Sequence, residues 1–173
     1  AGNGQILVDA SVHGEYTSNV PLWQWMADYA QRKGLGMHVH VSETQSEHEA
    51  CKGRWGLTPF ANLDRYGVWD TRAIAAHCVW TTEDDWAGMA EKGVACVHNP
   101  VSNLKLGSGV AWLPAMKAAG VPIALGPAGV SSNNNQDMFE EMKFAAVLHN
   151  GVTRDPLALL PQDVLAMATR DGG

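Results

Sequence analysis

Five short apolar runs, each followed by an amphipathic segment, restrict what this chain can fold into more than any other feature. The runs cover residues 6–10, 37–41, 73–79, 94–97 and 121–125. Each is too short for a buried helix and is bounded by glycine, proline or polar residues, which predicts strands buried on both faces. The intervening segments carry helix start and stop signals. Ser18 or Asn19 caps the first, Pro21 sits in its first turn and Gly34 ends it. Leu22, Trp25, Met26, Tyr29 and Ala30 form one stripe on it that should face a sheet. Thr58-Pro59 opens a short helix closed by Gly67, and Thr82–Asp85 reads as a capping box with Asp in place of Glu, ahead of Trp86, Met89 and Ala90. Further helices are predicted over 112–119, 137–149 and 162–169.

Strand, helix, strand, helix implies parallel strands joined by right-handed crossovers, an α/β fold. Two architectures suit it: an open doubly wound sheet, or part of a (β/α)₈ barrel, which when whole takes ~250 residues. The 173 residues are read as one domain, 1–173, with no linker. A chain that begins Ala1-Gly2 without Met reads as a piece of something longer. With 46% hydrophobic residues, 17% charged and a net charge of −6, no basic cluster offers itself to nucleic acid. No run reaches the length of a membrane helix and no signal peptide is recognisable, so a cytoplasmic protein is expected. Cys51, Cys78 and Cys96, odd in number and scattered, read as small buried hydrophobes in a reducing compartment.

The chemistry-bearing residues gather at the C-terminal ends of the predicted strands. His13 follows the first, His40 and Glu43 the second, His77 the third, His98 and Asn99 the fourth, and Ala128 the fifth. In parallel α/β folds, loops from different strands converge at that edge. Imidazoles arriving there from separate strands are raw material for a zinc or iron site, and Glu43 stands where it could ferry a proton. The structural alternative is that each is a hydrogen-bonded core histidine; three at equivalent strand ends keep both readings open. His38 is expected inside the barrel, and His48 and His149 on helices facing solvent. The seven tryptophans are expected to pack in the core. A doubly wound ligand crevice is the weakest reading, because no Gly-x-Gly-x-x-Gly stands between a strand and a helix.

Four motifs stand in order: His40-Val41-Ser42-Glu43-Thr44, Ala76-His77-Cys78-Val79, the stretch from His98-Asn99-Pro100 to Lys105-Leu106, and Ser131-Ser132-Asn133-Asn134 through Asp137 to Met142. Together they resemble the amidohydrolase superfamily, in the branch of S-adenosylhomocysteine and methylthioadenosine deaminases, guanine deaminases and triazine chlorohydrolases. The resemblance implies a (β/α)₈ TIM barrel, of which this chain supplies roughly strands four to eight with their helices. It implies a divalent zinc or iron ion and hydrolytic deamination or dechlorination of a small heteroaromatic substrate. It makes His40 a metal ligand, Glu43 the proton shuttle, and His77 a ligand or an orienter of the metal-bound hydroxide and ring. His13 and Ser132 match positions near the substrate; His98 and Asn99 line the pocket mouth or pack. The chain also departs from the pattern. The family's His-x-His pair on strand one lies before its first residue, and Gly-Thr-Asp-Gly is replaced by Gly126-Pro127-Ala128-Gly129, which puts Ala128 at the metal-binding Asp position. The chain alone is therefore expected to bind metal poorly, to be inactive, and to self-associate as a homo-oligomer. The competing reading is a non-catalytic degenerate half-barrel that serves as a binding or assembly module.

Overall fold

A computed structural model of the chain describes residue 3 and residues 6–172; Ala1-Gly2, Gly4-Gln5 and Gly173 lie outside the described residues. Five strands, β1 (Ala10–Gly14), β2 (Met37–Val41), β3 (Ala73–His77), β4 (Ala95–His98) and β5 (Ile123–Leu125), form one wholly parallel sheet in the order β1-β2-β3-β4-β5. Every strand pairs with its neighbour in sequence and the order never reverses. A doubly wound sheet needs such a reversal to create its ligand crevice, so that reading falls away.

A 3₁₀ turn (Glu15–Thr17) leads from β1 into α1 (Val20–Lys33). Asn19 caps this helix by accepting from the Leu22 amide, and Gly34 ends it in the left-handed conformation at φ 63°. Helices α2 (Gln45–Trp55) and α3 (Pro59–Asp64) connect β2 to β3, and α4 (Glu83–Lys92) connects β3 to β4. The expected capping box is present on α4: the Asp85 amide donates to Thr82 Oγ1 while Asp85 Oδ2 accepts from the Thr82 amide. Helices α5 (Pro100–Lys105) and α6 (Leu113–Ala118) precede β5, which is followed by α7 (Val130–Asn133), α8 (Met138–Thr153) and α9 (Pro161–Met167).

Three expectations need correction. The first strand begins at Ala10, where the apolar run was expected to end; Ile6, Leu7 and Val8 are 57%, 72% and 64% exposed. Asp9 marks the boundary, because its carboxylate accepts from the Gly36 amide at 3.1 Å and from Arg72 at 2.6 Å, pinning the start of three strands together. Secondly, β1 and β2 are buried on one face only. Ala10, Val12, Met37, Val39 and Val41 join the core, while Ser11, His13, His38 and His40 share the other face. Thirdly, α1 turns Trp23, Ala27 and Ala30 to the sheet and leaves Leu22 and Trp25 exposed, a rotation of the expected stripe. Trp25 instead stacks on Tyr29.

The core lies between the sheet and its helices, built on Trp23, Trp69, Leu63, Met89, Leu113 and Met116. Of the tryptophans, Trp23, Trp69 and Trp86 are buried, while Trp25, Trp55, Trp80 and Trp112 keep 38% or more of their surface. The three cysteines are free and buried. Among the described residues no helix is long and apolar enough to cross a membrane.

Candidate active site

The C-terminal ends of β1, β2 and β3 bring four of the predicted residues together. The His13 and His40 rings lie 4.7 Å apart between centroids, and His40 stacks on His77 at 5.3 Å with 25° between planes. Glu43 Oε2 stands 3.8 Å from His77 Nε2. His38 follows behind His40 on the same face at 5.9 Å.

Hydrogen bonds decide which nitrogens these rings present. His40 Nδ1 lies 2.6 Å from the His13 carbonyl oxygen. A carbonyl only accepts, so Nδ1 carries the proton and Nε2 of the neutral ring offers a lone pair. His77 Nδ1 lies 2.7 Å from Asn103 Oδ1, which likewise directs its Nε2 toward Glu43. His77 is 3% exposed; its burial lowers the imidazole pKa, and the Glu43 carboxylate opposes that shift only in part. Tyr16 packs its ring edge-on to His13, and burial, then Glu47 and Glu43, raise its phenol pKa.

The loops that aim these groups have unusual backbones. Ser42 (φ 49°), His77 (φ 71°), Cys78 (φ 50°) and Ala128 (φ 58°) all adopt the left-handed region just at or after strand ends. Conformations of this kind cluster where the surrounding structure over-determines them. After β2 the determinant is Glu47. Its buried carboxylate accepts from the Ser42 amide at 2.9 Å and the Glu43 amide at 2.8 Å, while its own amide donates to Thr44 Oγ1. Burial raises the Glu47 pKa, and the amide bonds oppose it. The Thr44-x-x-Glu47 spacing of a capping box was the signal for it in the sequence. Asn103, unassigned within its motif, is the other residue that pattern reading missed.

The remaining predicted residues lie apart from this group. His98 does not line a mouth: it is 0% exposed, on the opposite face of β4, edge-on to His149 at 5.3 Å. Its burial lowers its pKa well below the usual histidine value. Asn99 is a brace, with Oδ1 accepting from the His77 amide and Nδ2 donating to the Gly126 carbonyl, which ties the ends of β3, β4 and β5. Gly126 suits that approach, since a Cβ there would stand 2.9 Å from Val97 Cγ1. Ser132 donates to the Gly129 carbonyl at 3.0 Å. Among the described residues, no hydrogen bond or ring contact joins Ser132 to the histidines. Ala128 offers no side-chain donor atom, and its carbonyl accepts from Gln136. His48 and His149, expected to face solvent, are buried: His48 Nδ1 pairs with Ser42 Oγ, and His149 sits between the Ala111 and Ala145 carbonyls.

A zinc site takes three or four donors held close together. This chain stacks His40 on His77 beside Glu43, and among the described residues no three His, Cys, Asp or Glu side chains are grouped so as to hold an ion. The donors present do not fit a resident metal by themselves.

The sequence profile of the Amidohydrolase family matches residues 2–172. The chain belongs to this family. It is 44% identical over 172 residues to a 5-methylthioadenosine/S-adenosylhomocysteine deaminase from Dictyoglomus thermophilum, covering 99% of this chain and 40% of that protein. Among solved structures, a zinc-bound adenosine deaminase from Xanthomonas campestris superposes with a TM-score of 0.89 at 38% identity, over 94% of this chain and 37% of that one. A zinc complex of atrazine chlorohydrolase from Arthrobacter aurescens gives 0.86 at 25% identity, over 93% and 36%. The amidohydrolase chain thus spans about 40% of the length of the curated relatives it matches.

Proposed function

We propose that this chain is a segment of a metal-dependent amidohydrolase that hydrolytically deaminates an adenosine-type ring, with dechlorination of a triazine as the related chemistry of the branch. In a complete barrel it would provide roughly strands four to eight. The observation that carries the reading is the shared orientation of His40 and His77. Each is held through Nδ1, which leaves Nε2 as the acceptor, and the Nε2 of His77 stands 3.8 Å from Glu43 Oε2 beside the stacked His40 ring. The likeness to methylthioadenosine/S-adenosylhomocysteine deaminases favours a purine nucleoside over the other small heteroaromatic substrates.

In the reaction, water adds to the ring carbon that bears the exocyclic amine. Glu43 takes a proton from that water and delivers it to the departing nitrogen, so that a C–O bond replaces the C–N bond and ammonia leaves. His77 accepts a hydrogen bond from the adding oxygen through Nε2. His13 and Tyr16 border the ring, and Asn99 acts through the backbone of His77. Zinc or iron is the ion proposed for the complete protein, which must bring the donors this chain lacks.

The test is a chimera in which residues 6–172 replace the matching segment of the Dictyoglomus deaminase. With Ala128→Asp added, it is expected to release ammonia from methylthioadenosine, and Glu43→Gln should then lower kcat by about 10²–10⁴-fold. A folded, zinc-loaded chimera that carries Ala128→Asp and shows no turnover would overturn the reading. The chain by itself, with added Zn²⁺, is expected to turn over neither purine nor triazine substrates. Ala128 also favours a second reading, a non-catalytic binding or assembly module; an unaltered chimera that folds but retains no metal is what that reading expects.

A further inference from the structure

His77 is held at two points by a single helical turn. Asn99 and Asn103 lie four residues apart at the start of α5, and the Asn103 amide donates to the Asn99 carbonyl at 2.9 Å, so both side chains rise from one side of the helix. Asn99 Oδ1 accepts from the His77 backbone amide at 3.2 Å, and Asn103 Oδ1 stands 2.7 Å from His77 Nδ1. The residue so gripped is buried and carries a left-handed backbone at φ 71°. From the geometry we infer that Asn103 is a positioning residue that selects which nitrogen His77 presents to the site, by keeping the imidazole in its Nδ1–H tautomer.

The alternative tautomer is disfavoured by its surroundings. With the proton on Nε2, the carboxylate that faces it is Glu43 Oε2 at 3.8 Å, beyond hydrogen-bonding distance. In that tautomer the Nδ1 lone pair would also face Asn103 Oδ1 at 2.7 Å, two acceptors set against each other at hydrogen-bonding distance. With the proton on Nδ1, the donor is satisfied by Asn103 Oδ1 and Nε2 remains a pure acceptor. The Nδ2 end of Asn103 has no partner among the described residues, so its oxygen toward His77 is the only bond this buried side chain makes. A side chain placed solely for packing would not need a polar head here. Ligand histidines elsewhere owe their tautomer to a partner on the far nitrogen in the same way.

The role of His77 rests on the function proposed above, but the test needs no turnover, so the two can fail separately. The chain is uniformly ¹⁵N-labelled, and the imidazole nitrogens of His77 are assigned by through-bond correlation at pH 8. In the unaltered chain Nδ1 is expected to give the protonated signature and Nε2 the unprotonated one. Asn103→Leu, which keeps the volume and removes the acceptor, should move the proton to Nε2 or leave a mixture. Asn103→Asp, which restores an acceptor oxygen, should return it to Nδ1. A merely structural asparagine would leave the signature unchanged in all three proteins. The inference is overturned by an Nε2–H signature in the unaltered chain, by a leucine variant that keeps the Nδ1 proton, or by an aspartate variant that loses it. Should the leucine variant not fold, Asn103→Val, which also removes the acceptor, is read in its place, and an Nδ1 proton retained there overturns the inference.

Discussion

Ala128 holds a left-handed backbone at φ 58° without glycine's freedom. Asp and Asn enter that region more readily than Ala because their short polar side chains bond locally. Ala128→Asp is therefore expected to fold with unchanged or slightly raised stability and to bind Zn²⁺ more tightly, since a carboxylate would join His40 and His77. Calorimetry that finds equal Zn²⁺ binding in the two proteins would count against convergence at this edge. His98 gives a second residue-scale test. It is fully buried, neither ring nitrogen has a partner among the described residues, and the charges that face it come from His149 and His77, with no carboxylate. Burial, the largest cause, holds its folded pKa well below the ordinary value of about 6.5. As pH falls past that value the unfolded chain takes up the proton first, so stability is complete above it and is lost on acidification, with a slope that approaches about 1.4 kcal/mol per pH unit. His48, lowered by burial, and His77 add in the same sense. Urea midpoints measured between pH 8 and pH 5 should fall steeply, and His98→Leu should flatten the fall; an unchanged acid limb would refute this role. The burial of His48 and His149 was not legible in the sequence. A histidine on a helix looks solvent-facing until a distant segment closes over it, here the one that brings the Ala111 carbonyl to His149 Nε2.

At the scale of elements, the five strands and their order were legible, because short apolar runs between cap signals have few other readings. The first was misplaced because Ile6-Leu7-Val8 is more apolar than Ser11 and His13, which face away from the core. Hydrophobicity marks a strand only where both faces are covered. Helix α1 went astray for a related reason. Two tryptophans two residues apart point to different sides of a helix, and the periodicity favoured Trp25 over Trp23. Trp23 is 1% exposed and donates from Nε1 to Ser18 Oγ, while Trp25 is 55% exposed and only stacks on Tyr29. Trp23→Ala is expected to cost about 3–5 kcal/mol, and Trp25→Ala less than about 1 kcal/mol. Chemical denaturation of the two variants compares them directly, and comparable losses would mean that the stripe first read from the sequence is the buried one. The four residues that the fold brings together, His13, His40, Glu43 and His77, stood out at strand ends and in motifs. The residues that hold them, Glu47 and Asn103, act across loops that periodicity does not describe.

Among the described residues, β1 and β5 each pair on one side only, and Ser11, His13 and His38 stand exposed on one face of the sheet. Unpaired strand edges are templates for a further chain. The chain is expected to form a homodimer or larger assembly, a two-fold pairing being the simplest. Light scattering across micromolar concentrations would show this, and a monomer with a cooperative melt at every concentration would contradict it. The strictly sequential strand order has a kinetic consequence as well. Each hydrogen-bonded ladder closes only the one or two helices between consecutive strands, so no strand waits for a distant part of the chain to be made. Folding rates follow such separations, and domains form as they leave the ribosome at roughly 5–20 residues per second. This sheet can therefore grow strand by strand during synthesis, with β1 and β2 already paired before β5 is translated.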